Sequence, residues 1–276
     1  MKKYLARLIG TLINIIGIFS SKQAAELAIK LFSTPKKGRK LTTEAHDFLD
    51  TAFKEEIDCD GTSIMSYRWI GKKETVLLVH GWESNTFRWR DLIANLKNLN
   101  HNIIALDAPA HGNSNGRFFN SLVYSKYIYK VAKKFNATII IGHSVGGMST
   151  VFSLYKYQLN FIDKLVILGA PSNFTGMFNR YKSMMGYSKK VSNAMDLYVL
   201  KHHKYPPDYF SAANFSKSIN TKGLIIHDKH DDIIPFSDAL DFKSNYKNSK
   251  LITTTGYGHS LKFDAVNKHI IDFISY

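Results

Sequence analysis

The stretch Thr138-Ile139-Ile140-Ile141-Gly142-His143-Ser144-Val145-Gly146-Gly147 constrains this chain more than any other. A β-branched run ends in Gly-x-Ser-x-Gly, and Met148 to Tyr157 follows as an apolar helix. Strand, sharp turn and helix in that order hold a serine in a strained backbone position with its hydroxyl exposed. The glycines two before and two after it let strand and helix pass closely. Gly-x-Ser-x-Gly alone is common; the strand before it and the helix after it give it meaning here.

The rest of the chain repeats the same alternation. From residue 56 a first strand near Ile57 turns at Asp60-Gly61 into a second, Ile64 to Ile70. Val76–Val79, Ile103–Leu106, Ile139–Ile141, Leu165–Leu168, Leu224–Ile226 and Leu251–Thr254 follow, most of them separated by helical segments. Apolar strands alternating with helices predict an α/β fold with a mostly parallel, doubly wound sheet covered on both faces. Such sheets carry their chemistry beyond the carboxyl ends of the strands. Residues 172–220 interrupt the alternation with many aromatic, Met and Lys side chains, and this predicts a helical cap insertion.

His80-Gly81-Trp82 follows the third strand, and Asp107-Ala108-Pro109-Ala110-His111-Gly112 the fourth. The last two strands run into His227-Asp228-Lys229-His230-Asp231-Asp232-Ile233-Ile234-Pro235 and Gly256-Tyr257-Gly258-His259. Together with the serine turn, this gives Ser, Asp and His in chain order, each just past a strand end. On these motifs the chain resembles the α/β-hydrolase family over roughly residues 56–276. The resemblance implies Ser144 as nucleophile, His259 as general base and Asp231 as the acid that orients it. It also implies an oxyanion hole made by the backbone N–H groups of Val145 and Trp82. A serine hydroxyl needs an imidazole to take its proton, and the imidazole needs a carboxylate to fix its tautomer, so the three roles belong together.

Counting four positions back from Pro235 selects Asp231; Asp232 is the rival, and an acid on an earlier strand is a third reading. A metal cluster of His227, His230, Asp231 and Asp232 is the competing use of that loop, but neighbouring side chains there point in different directions. The reading expects no metal and no cofactor. His80, Asp107 and His111 read as loop-shaping residues, and His143 as a packed or hydrogen-bonded neighbour. The function that follows is a serine hydrolase cleaving a carboxylic ester or thioester through an acyl-enzyme, on a small-molecule or lipid-like substrate. Its rivals are a non-catalytic binding protein of the same fold and a membrane-surface interaction protein.

Charge enters because it is uneven. Of the net +15, residues 1–40 carry nine basic side chains and one acid, and residues 175–222 eight basic and two acidic. No nucleic-acid motif accompanies the excess, so no nucleic-acid partner is expected. Tyr4 to Phe19 is apolar except for Arg7, Thr11 and Asn14, which draw one narrow polar stripe on a helix. It is too short for a span, and Ser20-Ser21-Lys22 makes a poor signal-peptide cleavage site. Residues 1–55 therefore read as a peripheral helical extension, with a second helix at Gln23–Phe32 and a third at Leu41–Phe53 capped at Thr42 or Thr43. Residues 56–276 read as a single α/β domain. With the lone Cys59 excluding an intramolecular disulfide, the expected location is cytoplasmic, with an anionic membrane surface at the inner face as a candidate partner. The sequence leaves the oligomeric state open.

Overall fold

The computed structural model describes residues 2–59 and 61–275. In chain order the elements are α1 Lys2–Phe19, α2 Ser21–Ser33, α3 Thr43–Leu49, β1 Phe53–Cys59, β2 Thr62–Trp69, β3 Lys73–Val79, α4 Arg90–Asn98 and β4 His101–Leu106. There follow α5 Ser121–Lys134, β5 Ala137–His143, α6 Val145–Tyr157, β6 Lys164–Leu168, α7 Phe174–Met185, α8 Lys189–His203 and α9 Ala212–Phe215. The chain ends with β7 Lys222–Asp228, α10 Phe236–Asn245, β8 Ser249–Thr254 and α11 Asp264–Ser275. Two compact units result, one of residues 1–34 with 173–211 and the other of 35–172 with 212–276.

The larger unit is built on an eight-stranded sheet in the order β1-β2-β4-β3-β5-β6-β7-β8. The β1–β2 and β2–β4 pairs are antiparallel; every other pair is parallel. The parallel strands read as continuous apolar runs because both faces are covered: Val76 to Val79 and Ile103 to Leu106 are all fully buried. One face packs Val76, Leu78, Ile103, Ile139, Ile141 and Val166 against Leu92, Ile93 and Leu96 of α4 and Val266 and Ile270 of α11. The other is covered by α5, α6 and α10. Between them the two layers fix β5 near the middle of the sheet, and β5 is what holds the serine turn.

The smaller unit packs α1 and α2 on α7 and α8. Ser20 caps α2 by accepting from Gln23 N at 3.3 Å, and the helix buries the small side chains Ala24, Ala25 and Ala28, which permit close approach to α8. At its end Phe32 sits edge-on to Phe178 at a centroid distance of 5.3 Å and also meets Phe174 and Tyr181.

Two sequence expectations change, and one falls partly outside the described residues. The chain divides into two units where one domain and a boundary at residue 55 were expected. The reason is that the N-terminal helices share a core with the expected 172–220 insertion, of which residues 173–211 belong to the same unit, while residues 212–220 return to the sheet unit. The third helix is shorter than Leu41–Phe53, because Phe53 pairs with Arg68 and starts β1; its cap is Thr42, which accepts from Ala45 N at 3.2 Å. Asp60, half of the expected hairpin turn, lies outside the described residues; its neighbour Gly61 has φ 80°.

Candidate active site

The serine turn is tight enough to dictate its residues. Ser144 follows β5 directly with φ 54° and ψ −131°, a conformation costly for a residue with a side chain. A Cβ on Gly146 would lie 2.4 Å from His80 O, and one on Gly142 2.6 Å from Gly147 Cα. Neither position tolerates a side chain: glycine at 142 lets β5 pass α6, and glycine at 146 lets α6 approach the end of β3. Ser144 N donates to Leu168 O at 2.8 Å, which ties the turn to the end of β6.

Two loops from the far edge of the sheet reach this serine. His259, beyond β8, has Nε2 3.0 Å from Ser144 Oγ and Nδ1 2.8 Å from Asp231 Oδ2. Asp231, beyond β7, has a fully buried side chain, and its Oδ1 accepts from Ile233 N at 2.9 Å and Ile234 N at 2.8 Å. His227 adds a contact to Oδ2 at 3.3 Å while donating to Ile234 O at 2.9 Å. Burial pushes the Asp231 carboxyl up, but the hydrogen bonds from His227, His259 and Ile234 outweigh it and hold the group well below the usual carboxylate range. An ionised carboxylate only accepts, so His259 Nδ1 carries the proton and Nε2 is left to accept from the Ser144 hydroxyl. The neighbouring Asp232 is exposed.

The backbone of the His259 loop is itself held from below. His143 Nε2 donates to His259 O at 2.8 Å, and Arg88 Nη2 donates to Ser260 O at 2.9 Å. Both donors are more than nine-tenths buried. Burial holds the His143 imidazole well below its ordinary value, with the Arg88 charge adding to the effect, so it is a neutral donor. Burial also brings the Arg88 guanidinium down to about 9, and its charge lies 4.4 Å above the Trp89 ring. Asp228 completes the support: it accepts from Thr254 Oγ1 at 2.8 Å and from Tyr257 N at 2.9 Å, joining the ends of β7 and β8.

The sequence reading did not single out Arg88 or Asp228. Arg88 bonds to a backbone carbonyl, which leaves no partner to find in the sequence. Asp228 stands at the end of a strand, and that position was the only available signal.

Gly81 brings the loop after β3 against the serine: a Cβ there would lie 2.8 Å from Ser144 Cβ. Trp82 follows in this loop, and Val145 opens α6, where the first N–H groups of a helix have no acceptor within it. His80 Nε2 accepts from Ala108 N at 2.9 Å, so its Nδ1 donates to Gly81 O at 2.8 Å. His111 accepts from Glu83 N at 3.0 Å, and Asp107 from Thr86 N at 2.8 Å and Asn113 N at 2.9 Å. These three side chains spend their polar atoms mainly on loop backbone, and Asp107 also accepts from the Tyr67 hydroxyl at 3.0 Å. Among the described residues no three His, Cys, Asp or Glu are grouped to hold a metal ion.

The comparisons with known proteins agree with this architecture. A family model described as "alpha/beta hydrolase fold" matches residues 74–185. The chain is 22% identical over 250 residues to a protein of Mycoplasma genitalium named "Putative esterase/lipase 2", covering 77% of this chain and 91% of that one. Among solved structures it resembles Est1E of Butyrivibrio proteoclasticus with ferulic acid bound, at a TM-score of 0.64 and 19% identity, covering 80% of this chain and 100% of that one. It also resembles an esterase of Exiguobacterium antarcticum at a TM-score of 0.61 and 18% identity, covering 82% and 98%. Sheet order, serine turn and matched segment converge on one assignment: the chain has the alpha/beta-hydrolase fold.

Proposed function

We propose that the protein is a serine hydrolase that cleaves a carboxylic ester or thioester through an acyl-enzyme. The observation that carries the reading is the unbroken hydrogen-bonded line from Ser144 Oγ through His259 to the buried carboxylate of Asp231. In this reading Ser144 Oγ attacks the substrate carbonyl carbon as His259 Nε2 takes its proton. Asp231 stabilises the imidazolium that forms. The negative oxygen of the tetrahedral intermediate is met by the amides of Val145 and Trp82, each such donor contributing about 3–4 kcal/mol. Collapse releases the alcohol or thiol, which leaves with the proton from His259. Water then attacks the acyl-serine, His259 takes its proton, and a second collapse frees the acid and restores Ser144. No cofactor enters any step.

The esterase and lipase names of the similar proteins support an ester of a small or lipid-like molecule as substrate. The test is a panel of p-nitrophenyl esters, thioesters and anilides of rising acyl length, run with the parent and Ser144→Ala. The reading expects ester or thioester turnover that Ser144→Ala abolishes with its fold intact. A variant within tenfold of the parent rate would overturn it, and a parent inert on the whole panel would favour a binding protein of this fold.

A further inference from the structure

Helix α1 is docked by its small and polar side. A Cβ on Gly10 would lie 1.8 Å from Met185 O, and one on Gly17 2.6 Å from Val191 Cγ2, so the helix touches the α7–α8 region where it has no side chains. Between them Asn14 donates to Gly186 O at 2.9 Å and accepts from Ser188 N at 2.8 Å. Ile13 is buried on the same side. These contacts fix the rotation of the helix about its axis.

The fixed rotation turns the large apolar side chains outward. Leu5, Leu8, Leu12, Ile15 and Phe19 repeat at intervals of three and four along one face, and all are exposed, from 48% at Ile15 to 85% at Phe19. Tyr4 and Ile18 widen the stripe. Single exposed leucines need no explanation, but a continuous line along a whole helix does.

We propose that this face of α1 is a docking surface for an anionic lipid bilayer, with the helix lying in the interface. Charge selects the occupant. Residues 1–34 and 173–211 carry eleven basic and three acidic side chains, more than half of the net +15 of the chain. Lys22, Lys30, Lys189 and Lys190 are exposed, and Lys190 Nζ reaches the carboxyl end of α1 to donate to Ile18 O at 3.0 Å. Buried apolar area supplies adhesion, and each basic side chain near an anionic surface adds to it. A second copy would bring the same positive charge against this one, which opposes self-association through the face. Among the described residues no helix is long and apolar enough to cross a membrane, so α1 lies on the bilayer.

The test reads lipid binding without substrate, so its failure and that of the hydrolase reading are separate. Full-length protein is sedimented with vesicles of phosphatidylcholine alone and of phosphatidylcholine mixed with phosphatidylglycerol, at low and high salt. The parent should pellet with the mixed vesicles, weakly with phosphatidylcholine, and less at high salt. The double variant Leu8→Glu/Leu12→Glu should lose about tenfold or more in vesicle partitioning. Its melting temperature and its hydrolysis of a short soluble ester should match the parent, since both side chains point away from the unit's core. Should that variant fold poorly, the salt dependence of the parent decides in its place. A parent that ignores mixed vesicles, a folded variant that binds them equally, or binding indifferent to both lipid charge and salt overturns the proposal. So does a parent dimer that the variant dissolves without any vesicle binding.

Discussion

Two apolar runs of this chain meet opposite fates. Ile139 to Ile141 disappears into the middle of a sheet, each residue at most 2% exposed, whereas in α1 Leu5, Leu8, Leu12, Ile15 and Phe19 stay outside. A parallel strand pairs on both edges and is covered on both faces, so every apolar side chain it carries is buried wherever it points. A helix buries only the side its neighbours accept. In α1 that side was chosen by Gly10, Asn14 and Gly17, through backbone approach and two hydrogen bonds, and not by apolar bulk. The sheet unit therefore uses apolar residues to place Ser144 at its turn, and the smaller unit uses them to present a surface.

The largest effect that can break this division of labour belongs to the sheet unit's acid. Asp231→Asn should cost ~10⁴-fold in kcat, by analogy with triad hydrolases in which the wrong histidine tautomer results. Asp232→Asn, at an exposed side chain, should leave the rate close to the parent; steady-state kinetics on one ester decides, and the reverse ranking moves the acid by one residue. The same substitution has a pH signature. The folded-state value of Asp231 lies below its unfolded value, so its stability contribution is complete above the ordinary carboxylate range and is lost as pH falls through the folded value. The melting-temperature gap between parent and Asp231→Asn should thus be widest near neutral pH and narrow towards strong acid.

Leu78→Ala, at a fully buried position of β3, should cost about 2–5 kcal/mol in urea unfolding of the sheet unit. Leu12→Ala, 54% exposed on α1, should stay within about 0.5 kcal/mol despite deleting the same atoms. Equal losses would mean that the face of α1 is covered by protein.

A smaller effect is expected at Arg88, which holds the Ser260 carbonyl beside His259. Arg88→Met should lower kcat by up to about a hundredfold with KM little changed, the scale of a misplacement near 1 Å. Normalising to sites titrated by a covalent inhibitor separates this from misfolding: a purely structural role lowers the titrated fraction and leaves kcat per site intact. Arg88→Lys, which keeps a donor, should recover part of the loss.

What the sequence made legible follows from the same contrast. Strands of a buried parallel sheet are short β-branched runs between helices, so their number and order could be read. Ser144, Asp231 and His259 each stand just past a strand end, and a sheet brings strand ends together, so their meeting could be anticipated across 115 residues of chain. The docking of α1 could not. Asn14 pairs with Gly186 and Ser188, more than 170 positions away, and nothing local records it. Arg7, Thr11 and Asn14 could be read as one narrow polar stripe, but not which way it faces: Asn14 faces inward, where the α7–α8 loop supplies a donor and an acceptor that match its amide. Arg88 and Asp228 escaped for a related reason: their partners are largely backbone groups, present at every residue and therefore silent in a sequence.

The central claim is that Ser144 is an activated nucleophile, and covalent labelling tests it most directly. The parent is treated with a fluorophosphonate, digested and mapped by mass spectrometry, alongside Ser144→Ala and His259→Ala. One phosphonyl group is expected on the peptide carrying Ser144, none on that peptide in Ser144→Ala, and strongly slowed labelling in His259→Ala, because the hydroxyl is unreactive without its base. An unlabelled parent, a label on another residue, or full-speed labelling of His259→Ala would contradict it.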